Sequence, residues 1–131
     1  MSDGVPPKPT RRRRPIAELT AVRRAGLPAD LAAAVDRFER HLTLERSLSP
    51  HSVRAYVTDV VGLLDHLARL GRTDLTELDV RTLRSWLARL RSTGSARSTL
   101  ARRAAAARTF TAFAHRAGLT DTDAGAQLVS P

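Results

Sequence analysis

Two short clusters of hydroxyl, imidazole and guanidinium side chains carry most of the chemical potential of this sequence. The first is Ser49, His51, Ser52, Arg54 and Tyr56. The second is Ser95, Arg97, Ser98, Thr99, Arg102 and Arg103, with Arg108 beyond it. All of these side chains donate hydrogen bonds, and neither cluster contains an acid. Such a donor set suits the holding of phosphate oxygens and guanine edges better than the breaking of bonds. Both clusters fall where helices are expected to begin. A helix beginning adds unpaired backbone N–H groups and the positive end of the helix dipole, which favour an anion.

Catalytic readings fare less well. His51 with Arg54, and His66 with Arg69, form H-x-x-R pairs one helical turn apart, but such pairs arise readily by chance in an arginine-rich chain. No carboxylate pair, glycine-rich phosphate loop or metal-ligand cluster accompanies them. His41 and His115 stand alone, so no metal site, cofactor or small-molecule ligand is expected. The absence of cysteine excludes disulfides, zinc–thiolate sites and cysteine nucleophiles. Within the clusters, Ser49 is first of all a helix cap and Tyr56 reads equally as a core residue with its hydroxyl at the surface. Arg103 falls near an apolar stripe, where its stem can snorkel. Arg97 and Arg108 project to one flank and are the stronger candidates for DNA.

Charge placement points the same way. The 131-residue chain carries a net charge of +9, and Val80 to Thr120 contains nine arginines and no acid. Elsewhere 13 basic residues face 13 acidic ones, so one segment supplies the whole excess, as in a polyanion binder. Lys8 is the only lysine, a bias that explains arginine over lysine but not the missing acids. No apolar run approaches the roughly 20 residues of a membrane span, and no secretory leader is evident, so a reducing cytoplasm is the expected location and no membrane partner is expected.

The elements that must position the clusters are helices. Aromatic residues make up only 4% of the chain, so the core rests on Leu, Val and Ala. Residues 1 to 15, with four prolines and Arg11 to Arg14, read as a disordered basic tail. Residues 16 to 28 read as a short helix, opened by Pro15 and ended by Gly26, and a linker. Four longer helices are predicted next. The first runs from Ala29 to Arg46 on a stripe of Leu31, Val35, Phe38 and Leu42. The second starts at Ser49-Pro50, buries Val53, Val57, Val60, Leu64 and Leu67, and turns Arg54, Thr58, Asp65 and Arg69 outward until Gly71. The third is capped by Asp79, buries Val80, Leu83, Trp86, Leu87 and Leu90, and closes at Gly94. The fourth begins after Ser95 or Ser98 and runs to Ala117, with Gly118 as its stop. A last turn covers Asp123 to Leu128. Trp86, Phe38, Phe110 and Phe113 sit on or beside apolar stripes and read as core. With no alternation of period two, the expected class is all-α: a compact bundle of four main helices arranged as two crossed helical hairpins over residues 29 to 120.

The stretch "FERHLTLERSLSPHSVRAYVTDVVGLLDHLARLG" resembles the opening of the tyrosine recombinases, most of all the Xer type. That family's L-S-x-x-T-x-x-x-Y pattern falls on Leu48, Ser49, Ser52 and Tyr56, with serine in place of threonine. The stretch "SARSTLARRAAAARTFTAFAHRAGL" is similar to the family's later DNA-facing helix, through Ser95, Ser98, Arg102, Arg103, Arg108 and Phe110. The sequence Asp121-Thr122-Asp123 stands where the family has an Asn-Pro turn. The resemblance implies a SAM-like core-binding domain that grips double-stranded DNA at a recombination half-site. It also implies a related recombinase as partner in a DNA-bound tetramer, and residues 121 to 131 as the start of an interdomain linker. The family's catalytic residues lie in a second, C-terminal domain, and none maps onto these 131 residues, so this stretch is expected to bind DNA without cutting it. Two other classes stay open at this stage: a stand-alone helix-turn-helix regulator and a helical protein-interaction module.

Overall fold

A computed structural model describes residues 16–128; the expectations for the basic tail and for the last three residues lie outside it. The described residues are helical, with no strand among them. They form α1 (Ile16–Ala25), α2 (Ala29–Arg40), α3 (Pro50–Arg69), α4 (Val80–Ser92) and α5 (Arg97–Arg116). A π turn at His41–Glu45 extends α2, and 3-10 turns occupy Leu75–Glu77 and Ala124–Gln127. Local chemistry sets most boundaries. The Ser49 side chain accepts from the Ser52 N–H at 3.2 Å, with Pro50 in the first helical position. Asp79 caps α4 by accepting from the Thr82 N–H at 2.8 Å. Gly71, Gly94 and Gly118 follow α3, α4 and α5 with φ of 81°, 93° and 77°, the left-handed conformation that ends helices cheaply at glycine.

Helix pairs α2–α3 and α4–α5 pack through α3 on α5 around one core. Phe38, fully buried, anchors it: its ring meets Phe110 edge-on at 5.2 Å, Phe113 at 5.5 Å and Tyr56 at 6.5 Å. Ala104, Ala107 and Ala114 are buried on α5, and their small side chains let its neighbours approach closely. The four aromatics assigned to the core from sequence are all there, Trp86 included.

Three features depart from the sequence reading. The first long helix is α-helical only to Arg40. A wider π turn then keeps Leu42 fully buried and lays the His41 ring on Phe113 at 4.7 Å, and Ser47 ends the segment with a left-handed φ of 52°. Second, the short helix expected over Ile16 to Ala25 forms, but it packs on the bundle expected to begin at Ala29. It docks on α3 and α2, with Thr20 Oγ1 3.5 Å from Thr58 Oγ1, Arg23 3.9 Å from Asp65, and Arg24 held by Asp36 at 2.7 Å and Glu39 at 2.8 Å. The outward face expected for Thr58 and Asp65 is therefore partly covered by α1. Third, neither Ser95 nor Ser98 caps α5; Ala96 stands at that position and no side chain caps the helix.

Candidate nucleic-acid interface

At the beginning of α3, Ser49, His51 and Arg54 are exposed and Ser52 is half-buried. Ser49 donates to Ser52 Oγ at 3.1 Å while capping the helix, so its hydroxyl has a structural task first. Tyr56 is half-buried against the core, edge-on to Phe38, in line with its core reading. At the beginning of α5, Arg97 and Ser98 are exposed, and Thr99 and Ser95 are half-buried. Without a capping side chain, the first turn of α5 keeps backbone donors available to an outside acceptor, and two guanidiniums stand within two turns of it.

The two beginnings do not lie side by side. Ser95, just ahead of α5, lines the same cavity as Asp65, His66 and Arg69 in the last turns of α3. At 1.5 Å per residue, that places the beginning of α5 about 20 Å along α3 from Ser52. Hairpin packing forces this separation: α5 is laid on α3 so that its second turn meets the middle of α3.

That meeting point holds a residue which periodicity did not single out. Asp59 is 4% exposed, with Arg102 Nη2 at 3.1 Å and Arg103 Nε at 3.6 Å from its Oδ1. Arg102 keeps 56% of its side chain exposed and Arg103 29%, so Asp59 tethers one end of a guanidinium whose remainder faces solvent. Burial pushes the Asp59 carboxyl above the usual 3.8, while Arg102 and Arg103 pull it down; burial wins. By linkage, a raised folded value means that the Asp59 contribution to stability is intact below 3.8 and is lost as pH rises through the folded value. Asp59→Asn, which cannot ionise, is therefore expected to gain stability relative to the parent as pH rises through that window. Urea unfolding of both proteins across the acid range checks this. A loss of several kcal/mol in the variant at neutral pH would show that the pair is structural.

Arg108 is half-buried beside Gly125 of the last 3-10 turn. The flank it was expected to share with Arg97 is thus partly occupied by the chain's own last turn. Elsewhere the histidines separate. His51 is exposed, whereas His66 is 7% exposed and hydrogen-bonded through Nε2 to Ser85 Oγ at 3.1 Å. No group of three or more His, Cys, Asp or Glu residues suited to a metal ion occurs among the described residues. No described helix is long and apolar enough to cross a membrane.

Residues 35–118 match the family model described as "Phage integrase, N-terminal SAM-like domain". The chain belongs to that family. The tyrosine recombinase XerC of Mycobacterium leprae is 43% identical to it over 99 residues, covering 76% of this chain and 33% of the relative. XerC of Mycobacterium tuberculosis is 43% identical over 101 residues, covering 77% and 34%, and XerC of Mycobacterium sp. strain JLS is 40% identical over 102 residues, with the same coverage. The chain thus spans about a third of the length of these curated relatives. No solved structure is a significant match. Every residue of the two clusters lies inside the SAM-like match, together with Asp59.

Proposed function

We propose that this SAM-like domain grips one side of double-stranded DNA at a recombination half-site. It would act as the DNA-holding part of a Xer-type tyrosine recombinase in the cytoplasm, on the nucleoid, in site-specific recombination and chromosome dimer resolution. A related recombinase would be its partner in a DNA-bound tetramer. Cutting and joining would fall to residues outside these 131. The observation that carries the reading is the arrangement of the donor clusters: two acid-free helix beginnings, both open to solvent, with Arg102 projecting between them from the α3–α5 crossing.

A separation of about 20 Å exceeds the roughly 12 Å width of a major groove. The two beginnings therefore suit phosphates on opposite sides of one groove, and Arg102 is left to face the groove itself. Positioning then comes from Ser49, Ser52, Arg97 and Ser98, and base discrimination from Arg102, with His51, Arg54 and Thr99 at the edges.

The test is a salt series of binding titrations with a labelled inverted-repeat half-site and a shuffled duplex. Affinity is expected to fall steeply with salt. Arg97→Ala should weaken binding to both duplexes alike and reduce the log–log salt slope by about 1. Arg102→Ala should cost about 1–3 kcal/mol on the half-site and relax discrimination against the shuffled duplex. Failure to bind any duplex at low salt would overturn the proposal and leave a protein-interaction module. A stable dimer without DNA would favour a stand-alone regulator.

A further inference from the structure

Along the second half of α3, helices α1 and α4 and the lead-in to α5 enclose a cavity of about 300 Å³. Four guanidiniums line it, those of Arg23, Arg69, Arg89 and Arg103, against the single carboxylate of Asp65. That carboxylate is already engaged, 3.0 Å from Arg69 and 3.9 Å from Arg23. Arg103 has only a share in Asp59, at 3.6 Å, and its buried Nε lacks a hydrogen-bond partner. Arg89 has no acid within ion-pair distance among the described residues. The cavity therefore holds more positive charge than the single acid in its lining can balance.

The backbone carbonyls beside it are occupied and do not exclude an anion. α4 ends here, and the open carbonyls of a helix end would repel negative charge. They are closed instead: Ser95 N–H donates to Leu90 O at 3.0 Å, Gly94 N–H to Arg91 O at 3.1 Å and Thr93 Oγ1 to Leu90 O at 3.0 Å. Ser95, half-buried on the wall, adds a hydroxyl.

We propose that this cavity binds a phosphate-type anion, held between Arg89 and Arg103 with Ser95 beside it. Guanidiniums pair with phosphate oxygens through parallel N–H donors, and a partly buried site strengthens such bonds. The phosphate has two chemical sources: the backbone of a bound duplex, or a free phosphate or pyrophosphate anion. The first would deepen the duplex reading above; the second is independent of it.

Trp86, the chain's single tryptophan, lines the cavity and reports its occupancy. The experiment titrates the protein with inorganic pyrophosphate at constant ionic strength and follows Trp86 fluorescence. A saturable change is expected, weakened about tenfold or more in Arg89→Gln and unaltered in Arg84→Gln, an exposed α4 arginine outside the cavity. A linear response, an unaffected Arg89→Gln, or equal weakening in both variants would overturn the proposal. A second arm adds duplex. If duplex and pyrophosphate compete and Arg89→Gln weakens duplex binding severalfold, the phosphate is the DNA backbone's; simultaneous binding assigns a free anion. Only this arm depends on duplex binding, so a failure of the duplex reading leaves the first arm intact.

Discussion

Phe38→Ala is expected to destabilise the domain by about 3–5 kcal/mol, a large part of the roughly 5–15 kcal/mol that holds a domain of this size together. Phe38 is fully buried at the junction of α2, α3 and α5, and its ring touches Tyr56, Phe110 and Phe113. Truncation removes the aromatic surface and leaves a cavity whose walls come from three helices. Such a cavity cannot collapse without moving α3 against α5, the pair that sets the distance between the two donor clusters. Urea unfolding should show the midpoint falling by about 2 M. Leu44→Ala, at a site 70% exposed, should change stability by no more than about 0.5 kcal/mol. Equal effects of the two substitutions would refute the central place given to Phe38.

The second large effect is expected at glycine. Gly125 lies in the last 3-10 turn, where an added Cβ would collide with Thr111 Oγ1 and stand 2.9 Å from Arg108 Cα. Its N–H donates to the same Thr111 hydroxyl at 3.1 Å. Gly125→Ala is expected to cost about 1–3 kcal/mol by overpacking and to loosen residues 124–128 from α5. Thr111→Ala should rescue it only in part, because the Arg108 backbone remains in the way. Gly62, in the middle of α3, faces only Trp86 Cζ2 at 3.9 Å, and Gly62→Ala should stabilise by about 0.5–1 kcal/mol. Thermal unfolding of both variants, with hydrogen exchange of residues 124–128, checks the opposite signs. If Gly125→Ala were as benign as Gly62→Ala, the close contact would not exist in solution. The contact bears on function because the last described turn is fixed on α5, the helix that carries Arg102.

The Asp59 pair belongs to the same logic. A buried carboxylate that is expensive to ionise is poor cement, yet it holds an exposed guanidinium at a defined place on the surface. In the proposed duplex complex, Arg102 would meet the groove already oriented, which lowers the entropy cost of ordering a long side chain on binding.

Much of this protein was legible in its residues alone. Ser49-Pro50 and Asp79 mark the starts of α3 and α4, and Gly71, Gly94 and Gly118 their stops and that of α5, because caps and left-handed closures depend on a few neighbouring atoms. The all-helical class and the inward faces of α2 and α3 follow from period alone, whereas on α4 only Leu83 and Trp86 of the five expected residues are buried and Val80, Leu87 and Leu90 stay half-buried; the donor clusters and the SAM-like resemblance follow from residue type and order. Tertiary structure decided the rest. It put α1 on the outer face of α3, split the two helix beginnings along its length, gave Asp59 to Arg102 and Arg103, and brought Arg89 and Arg103 around one cavity. Those relations join residues 14 to 48 positions apart. They depend on which helix faces lie against each other and in what register, a result of packing the whole core at once that no local pattern encodes.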